Sequence, residues 1–162
     1  MSEPVVVFIC SGNTCRSPLA EVVAAEKLRD AGGRCCSAGL DAATGWPATA
    51  ESCDQAADRG LDLSRHRSQP VDDLDLTGVS WVIGMTVDHV RRFKRDRLDY
   101  RGAVGLLGLP GVDLSRGGDP FAGEQVDDPY RCGTVTAYEA MGKQVDRLVI
   151  AWMPHLSEGA GT

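Results

Sequence analysis

Five apolar residues, Val5-Val6-Val7-Phe8-Ile9, run without interruption into a tight polar loop, Cys10-Ser11-Gly12-Asn13-Thr14-Cys15-Arg16-Ser17. An unbroken run of this kind reads as a strand buried on both faces. Pro18 follows the loop, where the first turn of a helix tolerates proline, and Pro18 through Leu28 has helical character. The chain therefore opens as strand, loop, helix. A strand covered on both faces needs helices on both sides of its sheet, which points to an α/β layered fold.

The rest of the sequence repeats the alternation. The first helix is expected to reach about Ala31, where Gly32-Gly33 stops it. Arg34–Ala38 reads as a second, weaker strand. Ala48–Arg59 reads as a helix ending at Gly60, and Trp81–Met85 as a third strand. Thr86 is a candidate cap for a helix over Val87–Arg95. Ala103–Leu109 is a fourth strand, and 111–133, rich in Gly, Asp and Pro, is a long loop. Thr134–Trp152 is the last helix, with Val135, Tyr138, Met141, Val145, Leu148 and Val149 on one face. The expected fold is one α/β domain over 1–162: an open, parallel, four-stranded sheet with helices on both faces and a flexible tail from about 156. Such sheets bind ligands beyond the carboxyl ends of their strands, the edge to which the Cys10 loop belongs.

Composition narrows the partners. A net charge of −6 argues against binding nucleic acid or an anionic membrane surface. Val5–Ile9 has no basic residues before it and is too short for a signal core or a membrane span, so the expectation is a soluble, cytoplasmic protein. The six cysteines (10, 15, 35, 36, 53 and 132) are too irregular for a disulfide scaffold. The three histidines (66, 89 and 155) are scattered and no CxxC pair occurs, so neither a metal nor a cofactor is expected.

The loop carries the chemistry. The thiolate, not the thiol, is the nucleophilic form of cysteine. Three features favour it at Cys10: the N-terminus of the following helix, the fixed charge of Arg16, and a hydroxyl donor at Ser17. Gly12 lets the backbone turn its amides inward as a nest for oxyanions, and Asn13 tolerates left-handed geometry. Arg16 offers a planar fork that matches two oxygens of a phosphoryl group. Taken alone, a cysteine and an arginine at this spacing are as well explained by a buried structural thiol and a solvated arginine. The strand–loop–helix setting and the identities of Gly12, Asn13, Ser17 and Pro18 decide for the phosphate loop.

Cys10 through Pro18 resembles the phosphate-binding loop of the low-molecular-weight protein tyrosine phosphatases. Ser37-Ala38-Gly39, Gly60 through Ser68, Gly84-Met85-Thr86 and Asp127-Asp128-Pro129-Tyr130 recur in that family in the same order. The resemblance implies a two-step phosphomonoesterase with a cysteinyl-phosphate intermediate and no metal, acting on phosphorylated proteins and binding phosphate or other oxyanions. Cys10 and Arg16 would be catalytic, with Ser11, Gly12, Asn13, Thr14, Cys15 and Ser17 forming the substrate and phosphate site. Ser37 and His66 would stiffen the loop through Asn13. A general acid must protonate the leaving oxygen. Two Asp-Pro pairs compete for that role, Asp119-Pro120 and Asp128-Pro129. The family places its pair just before the last helix, which favours Asp128, with Tyr130 as an aromatic wall.

Several residues have blander readings. Cys15 is either a trap for oxidised Cys10 or a small buried residue. Trp46 reads as a packing residue, with substrate stacking as the sharper alternative. Cys53 and Cys132 read as structural, and Arg91 through Arg95 as a solvated basic face. Thr14 bears on the substrate: tyrosine phosphatases of the family usually carry an aliphatic residue there, whereas arginine-phosphatase-like members carry threonine. Phosphotyrosine is the first expectation and phosphoarginine the alternative. Arsenate reduction follows, although residues 86–131 hold no cysteine for a redox relay. An inactive phosphate-binding module is the last reading.

Overall fold

In the computed structural model, residues 5–158 are described. β1 (Val5–Cys10), β2 (Arg34–Gly39), β3 (Trp81–Gly84) and β4 (Ala103–Leu106) form one sheet in the order β2-β1-β3-β4. Every pairing is parallel, with Cys10 opposite Gly39 and Ile9 opposite Gly84. The helices are α1 (Arg16–Leu28), α2 (Ala50–Asp58), α3 (Val87–Asp96) and α4 (Val135–Glu158). The expected α/β architecture is the observed one.

Alternation along β1 sorts the core into two layers. Val6 and Phe8 face a cluster with Leu19, Val23, Ala56, Tyr138, Val145 and Trp152, which come from α1, α2 and α4. Val7 and Ile9 face the other side, with Val87, Val90 and Phe93 of α3. The chain leaves β1 for one neighbour and crosses back to β3 on the other side. The loop after β1 thus stands at the reversal of strand order, where open α/β sheets form a crevice.

The ends of the elements follow local chemistry. α1 gives way to a 3-10 turn over Arg29–Ala31, closed by Gly32 at φ 75°. α2 starts two residues later than the expected Ala48, because Thr49 is its cap: the Thr49 side chain accepts the Ser52 N–H. Thr86 caps α3 as expected, in a reciprocal arrangement with His89. β4 ends at Leu106 rather than Leu109, because the Leu109 N–H turns back to the Leu106 carbonyl. The loop 111–133 contains two short 3-10 turns, at Leu114–Arg116 and Pro120–Ala122, and Glu124, which makes an isolated antiparallel bridge to Gly108. α4 passes beyond Trp152 and carries Pro154 within its last turns. Trp152 and Leu156, both buried, hold that end against the sheet. A tail starting at 156 is thereby corrected; its remainder, 159–162, lies outside the described residues. Among the described residues no helix is long and apolar enough to cross a membrane.

Candidate active site

The loop between β1 and α1 is held by its carbonyl oxygens. The Cys10 carbonyl accepts the Leu40 N–H and the Ser11 carbonyl the Asp41 N–H, each at 2.9 Å. The Asn13 carbonyl meets His66 Nε2 at 2.7 Å. The Thr14 carbonyl accepts the Thr49 N–H at 3.0 Å, and the Cys15 carbonyl accepts the Ser52 hydroxyl at 3.2 Å. In a trans peptide the next N–H points opposite to the carbonyl. Tying these carbonyls outward therefore turns the N–H groups of Gly12, Thr14, Cys15 and Arg16 inward. The N-terminus of α1 joins them, with no side-chain cap and no acidic residue in its first turn.

Asn13 is the hinge of the loop. At φ 58° it is the one non-glycine residue with positive φ among those described. Its amide is fully used: Nδ2 donates to Ser17 Oγ and to Ser37 Oγ at 2.9 Å each, and Oδ1 accepts the Gln69 N–H at 3.0 Å. Ser37 in turn donates to Glu21 at 2.7 Å. Burial holds the Glu21 carboxyl above its usual range, although the Ser37 hydroxyl and His66 pull it down. Because Ser17 Oγ accepts from Asn13, its own proton is free for Cys10 Sγ, 2.9 Å away. A sulfur receiving a hydroxyl proton in this way is held as the acceptor, the role a thiolate plays.

Arg16 is 5 % exposed and fixed from two sides. It donates to the Val126 carbonyl at 3.0 Å, and Val126 N–H is itself tied to the Met85 carbonyl at the end of β3. Its other nitrogen lies 3.8 Å from Asp128 Oδ2. Asp128 also accepts the Tyr130 N–H at 3.0 Å, a turn that brings both residues over the loop. A cavity of about 200 Å³ results, lined by Cys10, Gly12, Asn13, Thr14, Cys15, Arg16, Asp128 and Tyr130. Asp119 is elsewhere: it caps the 3-10 turn at Phe121 and does not line this cavity.

Other sequence expectations divide. Ser37 and His66 both contact Asn13. Cys15 is buried, and its sulfur lies 3.4 Å from Tyr138 Oη and 3.6 Å from Thr49 Oγ1. All six cysteines are free thiols. Burial pushes the thiols of Cys35 and Cys36 up, to about 12 and about 11. Trp46 is not a packing residue: it is 63 % exposed, since its loop lies on the surface with its backbone N–H on Ser68 Oγ. Cys132 is exposed rather than structural. The basic run on α3 is partly paired: Arg92 grips Asp41 with two nitrogens, and Arg91 stacks over Phe121 at 5.0 Å.

Glu21, Gln69, Val126 and His89 are site partners that sequence reading missed. His89 was the one with a signal, because Thr86-x-x-His89 has capping-box spacing. Gly39 is held by contact instead: a Cβ there would stand 2.5 Å from the Ser11 carbonyl oxygen and 3.1 Å from the Asn13 nitrogen.

A nucleophilic sulfur, inward amides, a fixed guanidinium and a carboxyl group facing one small cavity are equipped for substitution at a tetrahedral oxyanion. Comparisons agree with that chemistry. A family model described as low molecular weight phosphotyrosine protein phosphatase matches residues 5–160. The low molecular weight protein-tyrosine-phosphatase of Streptomyces coelicolor is 32% identical over 134 residues, covering 79% of each chain. The protein named probable low molecular weight protein-tyrosine-phosphatase EpsP of Ralstonia solanacearum is 28% identical over 151 residues, 93% of this chain and 94% of its own. The protein-arginine-phosphatase of Geobacillus stearothermophilus is 32% identical over 84 residues, 52% of this chain and 55% of its own. The crystal structure of a low molecular weight protein tyrosine phosphatase from T. tengcongensis superposes with a TM-score of 0.79 at 28% identity, over 95% of this chain and all of that one.

Proposed function

Because the chain belongs to the low molecular weight phosphotyrosine protein phosphatase family, we propose that Cys10, Arg16 and Asp128 carry a two-step hydrolysis of phosphotyrosine-type esters in proteins. The enzyme is a cysteine-dependent phosphatase. In the first step the Cys10 thiolate attacks phosphorus as the bond to the leaving oxygen breaks. Asp128 gives its proton to that oxygen, so an alcohol departs and a cysteinyl phosphate remains. In the second step Asp128, now a carboxylate, takes a proton from water as the water attacks phosphorus. The S–P bond breaks, phosphate leaves and the thiolate returns. The Arg16 guanidinium and the inward N–H groups of Gly12, Thr14, Cys15 and Arg16 hold the equatorial oxygens throughout. The observation that carries this reading is the single cavity shared by Cys10, Arg16 and Asp128.

The substrates are then phosphorylated proteins, and inorganic phosphate is both product and competing ligand. We assign the enzyme to the cytoplasm, because its nucleophile needs a compartment that keeps thiols reduced. We read 1–162 as a single phosphatase domain.

Hydrolysis of para-nitrophenyl phosphate in the presence of a metal chelator tests the scheme. Cys10→Ser should abolish turnover, and a variant with full activity would end the proposal. Asp128→Asn should lower kcat by about 10²–10⁴-fold, the usual contribution of a positioned acid. Asp119→Asn should leave it unchanged; the reverse pattern would move the acid to Asp119.

Thr14 supports a second reading. It lines the cavity, and a relative named protein-arginine-phosphatase is 32% identical over 52% of this chain. Phosphoarginine is therefore the alternative substrate. Thr14→Ile should raise the ratio of phosphotyrosine to phosphoarginine peptide turnover if the hydroxyl serves a guanidinium, and leave it unchanged otherwise.

A further inference from the structure

Ser11 and His89 meet at the edge of the site, with Ser11 Oγ 2.9 Å from His89 Nε2. The direction of that hydrogen bond can be worked out. The Thr86 N–H donates to His89 Nδ1 at 3.2 Å, so Nδ1 carries its lone pair. The ring is buried, and burial first, then the Arg16 and Arg92 charges, push its pKa down to about 3 against the pull of Asp41. A neutral imidazole that accepts at Nδ1 has its proton on Nε2. Nε2 therefore donates to Ser11 Oγ. The Ser11 hydroxyl, its lone pair engaged by the ring, keeps its own proton to give elsewhere.

The surroundings say where. Ser11 does not line the cavity around Cys10. It lines an adjoining hollow of about 540 Å³ together with Arg16, His89, Gln125, Asp127 and Asp128. The two hollows share Arg16 and Asp128. A phosphoryl group seated on Cys10 occupies the first, and whatever is attached to it beyond Asp128 can enter the second.

We propose that His89 is a positioning residue that sets the Ser11 hydroxyl as a fixed hydrogen-bond donor to the polypeptide flanking the phosphorylated residue. The proposal rests on the phosphatase reading above. The matching substrate group is an acceptor, a main-chain carbonyl next to the phosphorylated side chain. A small aryl phosphate has no such group and draws less on the pair.

The test compares kcat/KM for a phosphotyrosine peptide with kcat/KM for para-nitrophenyl phosphate. His89→Gln carries an amide N–H near the place of Nε2, so it keeps the donor to Ser11. His89→Asn keeps an acceptor near the place of Nδ1, so it preserves the cap of α3 and loses Ser11. The peptide-to-aryl ratio should fall about fivefold in His89→Asn, the worth of one neutral hydrogen bond, with the change in the peptide KM. His89→Gln should restore it. If His89 served only the helix cap, Asn would keep the ratio and Gln would lose it, which overturns the proposal. Ser11→Ala leaves the cap untouched and should lower the ratio by a similar factor, and the double variant with His89→Asn should fall no further. An unchanged ratio in Ser11→Ala, or losses that multiply, also overturns it. The tautomer is read separately by ¹⁵N NMR of the His89 ring, where Nε2 should be protonated from about pH 5 to 8. A proton on Nδ1 would overturn the proposal whether or not the chain turns over any phosphate ester.

Discussion

Asn13 and Gly39 bear on the site without supplying any reacting group. The loop passes so close to Gly39 that a methyl group there meets the Ser11 carbonyl and the Asn13 nitrogen. Gly39→Ala should therefore shift the loop and lower kcat/KM at least about tenfold, while the unfolding free energy from urea titration falls by no more than about 1–3 kcal/mol, the usual cost of overpacking. A variant that unfolds early but turns over normally would contradict this. Residues of the loop itself were legible because their meaning is local: Gly12 and Asn13 fit turns, Arg16 fits an oxyanion, and Pro18 fits the start of a helix. Partners brought in by folding were not. Gln69, Val126 and His89 reach the loop from 56, 110 and 78 positions away, and nothing in a run of sequence pairs them. Of the two Asp-Pro candidates, the residues alone left both open. The turn that binds Tyr130 N–H is what carries Asp128 to Arg16.

Among the elements, α3 is the one whose end touches both packing and chemistry. Its buried face is Val87, Val90 and Phe93, and its first turn holds His89 against Ser11. Gly84, just before it, lets the helix approach: a Cβ there would stand 3.0 Å from Val90 and 3.1 Å from the His89 Cβ. The depressed pKa of His89 has a consequence for acid stability. Its folded value is about 3 against an ordinary 6.5, so the unfolded chain takes up the proton first as pH falls. The contribution is fully present above about pH 6.5 and is lost as pH falls toward 3. His89→Gln removes this titration, so its acid limb between those limits should be flatter than that of the wild type in urea midpoints measured by pH. Equal slopes would mean that His89 is already charged in the folded protein. Periodicity and caps revealed the existence of every strand and helix. Their ends depended on turns and packing: β4 stops where the Leu109 N–H turns back to the Leu106 carbonyl, and α4 continues because Leu156 is buried.

For the whole molecule, the parallel register is what assembles the site. β1 lies between β2 and β3, so the loop after Cys10 receives supports from both sides of the sheet. Residues 40–41 follow β2, Thr49 and Ser52 begin α2, His66 lies in the loop beyond it, and His89 opens α3. That topology could be read from the alternation of apolar runs and helical stretches, because a parallel sheet of this size has few ways to connect. The order of strands was not read from it, since β2 and β3 are equally good neighbours for β1 on pattern alone. The outward-tied carbonyls lead to one more expectation. An anion in the loop can bind only while these distant segments stay docked, so orthophosphate should act as a folding ligand for the entire chain. At a hundredfold excess over its dissociation constant, it should add about 2.7 kcal/mol to global stability. Melting curves with phosphate, set against chloride at matched ionic strength, would show the rise, and Arg16→Ala should erase it. Such coupling makes occupancy a matter of lifetime: the vacant enzyme is the form that opens to a protease, and the one cradling its own product is sheltered.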